Sequence, residues 1–123
     1  AAFQIEAIRR CAARVIGQEV TTIVAAGGGA RNRRGLQIKA DVAGLPLRAL
    51  ATDEATLLGA ALIAGAGCGV YRDGAEAIEV AAALPATTIE PDMGRHQRYA
   101  ERYAQFLRWQ QLVAAPADGA GNR

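Results

Sequence analysis

The sequence is 123 residues long and 51% hydrophobic, which suits one small domain with a core of its own. Fourteen basic and twelve acidic residues leave a formal net charge of +2, and no basic stripe is interleaved with aromatic residues. This pattern does not favour a nucleic-acid partner. There is no apolar run long enough to cross a bilayer and no visible signal peptide, so we expect neither a membrane partner nor secretion.

The cysteines and the first residues set two further expectations. Cys11 lies in an alanine-rich helical pattern and Cys68 in a glycine-rich turn, and both are predicted to be small buried apolar residues in a reducing compartment. We therefore expect a cytoplasmic location. The chain starts with Ala1 and not with methionine, and no capping residue precedes its first helical pattern, which predicts a piece of a longer protein.

Hydrophobic periodicity and turn residues predict an α/β domain over residues 1–113, in which two strands are visible. The predicted elements are a helix at 2–16, a buried strand at 20–26, a helix at 31–43, a strand at 45–50, a helix at 54–66, a short surface helix at 73–83 and a last helix at 94–112. Residues 85–91 are predicted to be an extended connection, and 114–123 a disordered tail.

The later helices carry specific expectations. The helix at 54–66 is apolar almost all round, which is typical of a buried helix, and Thr52 or Asp53 is predicted to cap it. His96 stands among charged and amide residues and is expected to be solvated. One stripe of the last helix is predicted to pack in the core and not to stack nucleic-acid bases, namely Tyr99, Tyr103, Phe106, Gln110 and Val113.

The stretch 20–42 organises the chain, because a β-branched strand meets three glycines and then a helix. Gly27, Gly28 and Gly29 remove every Cβ from the turn, so positive φ is permitted and another group can approach the backbone closely. Such a turn at a helix N-terminus favours a phosphate or nucleotide. Asn32 stands where a Rossmann fingerprint needs its third glycine, and no Walker A motif follows, so a tight turn without a ligand is the alternative.

Three cations follow the glycine run. Arg31, Arg33 and Arg34 fall in the predicted first turn of the helix, where the positive end of the helix dipole disfavours them. A bound anion would resolve this conflict. The alternative is that the long side chains extend into water.

Four segments make the sequence resemble the C-terminal end of the FGGY carbohydrate kinases, the family of xylulokinase, glycerol kinase and related pentulose and hexulose kinases. They are GGGARN at 27–32, QIKADVAGLPL at 37–47, EATLLGAALIAGAGCGVY at 54–71 and IEPD at 89–92, the last followed by Tyr99, Tyr103 and Phe106. Their order and spacing extend the resemblance over nearly the whole chain.

The resemblance implies the C-terminal portion of a ribonuclease-H-like, actin-like ATPase domain, with a strand–glycine turn–helix core and flanking helices. In that family the glycine turn receives the adenosine end of ATP, so the implied nucleotide-binding residues are Gly27, Gly28, Gly29, Ala30, Arg31 and Asn32. The implied reaction is transfer of the ATP γ-phosphate to a sugar hydroxyl, with Mg²⁺ on the phosphates. The family's catalytic carboxylate belongs to an N-terminal domain, so no residue of this chain is expected to be catalytic, including Asp41, Asp53 and Glu54.

The partners implied are a sugar, held mostly by that N-terminal domain, and a second copy in a homodimer of the full-length protein. Xylulose is the first sugar expected, from its frequency in the family, and the 123-residue chain alone is expected to be inactive. Two other functions stay open at this point. One is a non-catalytic nucleotide-binding module of the actin-like superfamily, and the other is an α/β interaction domain without a ligand.

Overall fold

The computed structural model describes residues 1–114. In this part of the chain a 3₁₀ turn, Gly28–Arg31, separates the first strand from the second helix. The helices and strands are α1 (Ala2–Ile16), β1 (Ile23–Ala25), α2 (Arg33–Ala43), β2 (Leu47–Leu50), α3 (Ala55–Gly67), α4 (Gly74–Ala82), β3 (Ala86–Ile89) and α5 (Met93–Ala114). The predicted α/β class is confirmed. Ala114, the first residue of the predicted tail, ends α5, and the rest of that tail lies outside the described residues.

The three strands form one sheet in the order β1-β2-β3. β1 runs parallel to β2, whereas β3 runs antiparallel to it. The register aligns Ile23, Leu47 and Ile89, and because side chains alternate along a strand, these three share one face of the sheet. Leu36 and Ala40 of α2 pack against this face and complete the core. The sheet and α2 therefore form the framework on which the other elements are placed.

The prediction of an extended connection at 85–91 missed a strand. β3 occupies four residues of this segment and pairs along its whole length with β2. Thr87 and Thr88 are β-branched and suit a strand, but Pro85 and Pro91 on either side favour a linker. The pairing partner, and not the local sequence, decides the structure here.

The first strand is shorter and more exposed than predicted. Only Ile23–Ala25 pair with β2, and the ladder begins at the pair of Ile23 with Leu47. Val24 is 57% exposed, because its side chain lies on the sheet face opposite the one that α2 covers. The prediction of a strand buried on both faces is therefore wrong for this part of the protein.

The most buried residue of helix α1 is charged. Glu6 is its buried residue, 1% exposed, and its carboxylate accepts hydrogen bonds from Arg9 and Arg10. Burial raises the pKa of Glu6, but the hydrogen bonds from the two arginines outweigh burial, so the pKa is lowered and the carboxyl stays ionised. The Arg10 guanidinium lies 4.8 Å from the ring centre of Tyr103. Much of the predicted apolar face is exposed instead, at Ile8, Val15 and Ile16.

Helix α3 is also more exposed than predicted. Among the described elements it packs mainly against α4, so Leu57 and Ile63 are 65% and 77% exposed. Its N-cap is Glu54 and no side chain caps it, so the prediction of a Thr52 or Asp53 cap is wrong. No helix within residues 1–114 has both the length and the apolar character needed to cross a membrane.

The two cysteines are exposed, which contradicts the prediction that they are buried. Cys11 lies on the outer side of α1, the side that no described element covers. Cys68 is the C-cap of α3, where the chain turns at the surface. Small apolar neighbours in sequence therefore did not indicate burial at either position.

Three residues of the predicted stripe on α5, Tyr99, Tyr103 and Phe106, pack against α1, as predicted. Tyr103 is 6% exposed, and the Phe3 ring of α1 lies 6.2, 5.8 and 5.5 Å from the rings of Tyr99, Tyr103 and Phe106. This cluster fixes α1 against α5. The stripe stops being core before the end of the helix, because Val113 is 84% exposed.

His96 is packed and not solvated, contrary to the prediction. Its Nδ1 lies 2.9 Å from the Asp41 carbonyl oxygen, and since a carbonyl only accepts, Nδ1 carries the proton in this contact. The ring also lies against Gly44, which ends α2 with a φ of 65°. A Cβ at Gly44 would be 2.7 Å from the His96 ring, so the end of α2 and the start of α5 fit together only with glycine there.

We predict that Gly44→Ala destabilises the protein more than Gly17→Ala. Both glycines end a helix at positive φ, which costs about 1–2 kcal/mol for alanine, but only Gly44 has a side chain over it. The excess cost at Gly44 should shrink in a His96→Ala background, where the ring is gone. Chemical denaturation of Gly44→Ala, Gly17→Ala, His96→Ala and the double variant Gly44→Ala/His96→Ala measures the free energy of unfolding of each. Equal costs at the two glycines, or an excess that persists without the ring, would contradict the packing described.

Candidate functional site

The candidate site lies where the parallel strands β1 and β2 both end. Carboxyl ends of parallel strands meet at one edge of a sheet, and ligands of open α/β sheets bind there. The glycine turn follows β1, and residues 51–54 follow β2. The Gly27 N–H donates to the Thr52 carbonyl over 3.1 Å, which ties the two loops together.

A cavity of about 360 Å³ opens at this edge, between the first turn of α2 and the core face of the sheet. Its floor includes core side chains, and its rim carries two arginines and one aspartate. The lining residues are Gly27, Ala30, Arg31, Arg33, Leu36, Ala49, Leu50, Ala51, Thr52, Asp53, Thr87 and Ile89. An apolar floor with a charged rim suits a ligand that has both a flat apolar part and an anionic part.

The three glycines of the turn differ in what requires them. Gly27 has a φ of 74°, a conformation that side chains disfavour, so the fold itself requires glycine there. Gly28 and Gly29 do not have positive φ, and a Cβ built on either would meet no atom within 4 Å. Among the described residues nothing accounts for the missing side chains at these two positions.

The predicted position of Arg31 in the first turn of the helix is wrong. Arg31 ends the 3₁₀ turn, and its guanidinium makes two hydrogen bonds to the Asp53 carboxylate, one of them 2.8 Å from Nε to Oδ1. This hydrogen bonding lowers the pKa of Asp53. The pair is exposed, so it contributes little to stability, but it links the β2–α3 loop to the glycine turn and compensates the charge of Arg31.

Asn32 caps α2. Its side-chain oxygen accepts a hydrogen bond from the Gly35 N–H over 3.0 Å, which satisfies one of the unpaired donors at the helix start. Arg33 and Arg34 occupy the first turn, and no carboxylate among residues 1–114 forms an ion pair with either. Arg33 lines the cavity, whereas Arg34 does not. The uncompensated positive charge of the site is therefore that of Arg33 and the helix N-terminus.

The structure brings together part of the predicted set. Gly27, Ala30 and Arg31 line the cavity; Gly28 and Gly29 lie on the exposed turn beside it, and Asn32 faces its own helix. The predicted nucleotide-binding set did not include Thr52, Asp53, Thr87 and Ile89, which also line the cavity. The position of the first two directly after a strand parallel to β1 was the signal that could have found them. The last two belong to the strand that was not predicted.

Metal-binding side chains are not clustered in the described residues. Within residues 1–114, no group of three or more His, Cys, Asp or Glu side chains could hold a metal ion.

Comparison with known proteins places this geometry in a family. Residues 1–68 match the model of the FGGY family of carbohydrate kinases, C-terminal domain. The chain belongs to this family. The match ends at the C-cap of α3, so it contains the glycine turn, α2 and the β2–α3 loop.

Individual FGGY relatives extend the comparison beyond the family model. The chain is 38% identical over 97 residues to L-xylulose/3-keto-L-gulonate kinase of Escherichia coli strain K12, a match that covers 79% of this chain and 19% of that protein. It is 46% identical over 56 residues to autoinducer-2 kinase of Yersinia enterocolitica, covering 46% of this chain and 11% of that protein. The chain thus spans a fifth or less of the curated relatives it matches.

A solved structure supports the same assignment. The xylulose kinase of Rhodospirillum rubrum superposes with a TM-score of 0.70 at 25% sequence identity, over 91% of this chain and 22% of that one. The superposition therefore includes elements beyond residue 68, which the family model does not match. The α/β arrangement described above is therefore similar to that of the matching part of this xylulose kinase.

Proposed function

We propose that this chain is the ATP-binding C-terminal part of a carbohydrate kinase, which transfers the γ-phosphate of ATP to a sugar hydroxyl. The chain is then the C-terminal portion of a ribonuclease-H-like, actin-like ATPase domain. The observation that carries the proposal is the cavity at the carboxyl edge of β1 and β2, bordered by a glycine turn and by Arg33, in a member of this kinase family.

The unexplained glycines support the location of the nucleotide. The fold needs glycine at position 27, but leaves open space above Gly28 and Gly29. A ligand that lies on the backbone of this turn would use that space, because side chains there would keep it away. We therefore assign the adenosine moiety to the exposed surface of Gly28 and Gly29, next to the cavity that Gly27 and Ala30 line.

The charges support the direction of the phosphates. Arg31 is neutralised by Asp53, and Arg34 lies outside the cavity, so Arg33 is the cation that we assign to the phosphates. The N-terminus of α2 adds favourable dipole charge at the same place. In phosphoryl transfer, such positioning and electrostatic stabilisation make up most of the catalysis. Mg²⁺ would be bound by the phosphate oxygens of ATP, and we assign it no ligand among residues 1–114.

The sugar and the catalytic base are assigned to other parts of the full-length protein. Asp41, Asp53 and Glu54 are not proposed as the base. Asp41 is buried and hydrogen-bonded, Asp53 is paired with Arg31, and Glu54 is not one of the residues that line the cavity. The names of the relatives, which include L-xylulose/3-keto-L-gulonate kinase and xylulose kinase, support a sugar acceptor. Xylulose is the first candidate.

We predict that the full-length protein releases ADP from ATP in a sugar-dependent way. A coupled ADP-release assay across pentuloses and hexuloses measures this, with the 123-residue chain alone as the control that should show no turnover. Sugar-dependent turnover by the chain alone would contradict the division of roles proposed here. ATP binding by the full-length protein without turnover on any sugar would favour a non-catalytic nucleotide-binding module.

We predict that Gly28→Val raises the Kd for ATP by about tenfold or more, equivalent to about 1.4 kcal/mol. The new side chain enters space that the fold leaves open, so stability should change little. Gly67→Val is the matched control, since a Cβ at Gly67 also meets nothing within 4 Å and lies at the far end of α3. Isothermal titration of both variants measures the difference. Unchanged affinity in Gly28→Val would remove the glycine turn from the nucleotide site.

We predict that Arg33→Ala raises the KM for ATP about fivefold, whereas Arg34→Ala leaves it close to the wild-type value. The two variants remove the same charge from neighbouring positions in one helix turn, but only Arg33 lines the cavity. Steady-state kinetics at saturating sugar separates them. An equal effect of the two substitutions would mean that general positive charge, and not a contact by Arg33, attracts the nucleotide.

A further inference from the structure

A second buried carboxylate lies behind the candidate site. Asp41 is on α2, two turns after Arg33, and is 1% exposed. Its Oδ1 accepts hydrogen bonds from Gln37 Nε2 and from the Asp92 N–H, each 2.8 Å long, and its Oδ2 lies 2.8 Å from Arg95 Nε. Each oxygen of the Asp41 carboxylate thus has at least one donor, and no buried side-chain polar atom among residues 1–114 lacks a partner.

These bonds join two chain segments that are distant in sequence. Asp41 and Gln37 are one turn apart on α2, whereas Asp92 and Arg95 belong to the segment that leaves β3 and starts α5. Gln37 Nε2 also donates to the Glu90 carbonyl over 2.9 Å. Two side chains of α2 therefore hold the backbone on both sides of Pro91, directly after β3.

Both of the joined elements form walls of the cavity. The α2 wall includes Arg33 and Leu36, and the β3 wall includes Thr87 and Ile89. Leu36 and Ile89 pack together in the core, so apolar contact fixes the two walls on one side. The hydrogen bonds of Asp41 and Gln37 hold the same two walls together at a second place. Gln37 directly follows Leu36 in the chain, and its partner Glu90 directly follows Ile89.

We propose that Asp41 is a positioning residue of the nucleotide site: its carboxylate, with Gln37, holds α2 against residues 90–95 and so sets the distance between the α2 and β3 walls. This inference rests on the function proposed above. In this proposal Asp41 does not contact the nucleotide. It acts through α2, whose first turn presents Arg33 to the cavity.

Glu6 provides an internal comparison. It is also a carboxylate of 1% exposure. Its two partners, Arg9 and Arg10, lie on α1 itself, so its hydrogen bonds join no wall of the cavity. Asp41→Asn and Glu6→Gln each replace a buried carboxylate by an amide of the same shape. Each puts an NH₂ group where a donor already points, so both should lower the thermal midpoint.

The test is the Kd for ATP of the full-length protein, measured beside the thermal midpoint and the KM for the sugar. Asp41→Asn should raise the Kd for ATP about fivefold or more and leave the KM for the sugar unchanged, while Glu6→Gln changes the midpoint only. Equal effects of the two variants on ATP affinity would overturn the inference, because burial of charge alone would then explain them. If the wild-type protein binds no ATP, the proposed function fails and this inference fails with it.

Substitutions of Arg95 and Arg98 give a second pair of variants for the same test, in case Asp41→Asn does not fold. Arg95 is partly exposed and bonded to Asp41, and Arg98 lies one turn further along α5 without an ion pair among the described residues. Arg95→Met should raise the Kd for ATP by at least about twofold, and Arg98→Met, which removes the same charge, should not. The same change in both variants, or none in either, would overturn the positioning role.

Discussion

The parallel pairing of β1 with β2 is the constraint on which the rest of this structure depends. It brings the ends of two segments that are distant in sequence to one edge of the sheet, and thereby sets the glycine turn beside the β2–α3 loop. The hydrogen bond from Gly27 to Thr52 and the Arg31–Asp53 pair then join the two loops. Without this pairing, Thr52 and Asp53 would not line the same cavity as Gly27 and Arg33.

Helix α2 converts that edge into a site. Leu36 and Ala40 anchor the helix on the sheet, which aims its N-terminus, capped by Asn32, at the cavity. An anchored helix N-terminus provides fixed dipole charge for an anion. The chemistry expected of the family needs little more than such positioning from its nucleotide-binding part, and we propose no catalytic role for any residue among 1–114.

How much was predictable from sequence depended on where each element finds its partners. Helices with local signals were predicted well: Gly17 and Gly44 end α1 and α2 at positive φ, and Asp73 caps α4. The glycine turn was recognised because three consecutive glycines have a direct structural meaning. β3 was missed because its pairing with β2 is a non-local contact that flanking prolines conceal.

Burial was the least predictable property. Apolar residues of α1 and α3 are exposed, while Glu6 and Asp41 are the buried polar residues of the described part. A hydrophobic pattern indicates that a helix face is buried in the complete protein, but it does not indicate which chain segment packs against that face. The chain spans a fifth or less of its curated relatives, so residues outside it would supply much of that cover in the full-length kinase that we propose.

Residues outside this chain could also cover the glycine turn. The open space above Gly28 and Gly29 would then be filled by a further part of the polypeptide and not by a nucleotide. A crystal structure of the full-length protein with a non-hydrolysable ATP analogue distinguishes the two directly. Our account predicts adenosine on the backbone of Gly28 and Gly29, with the phosphates directed toward Arg33. A nucleotide bound elsewhere, with protein side chains filling the space above these glycines, would contradict it.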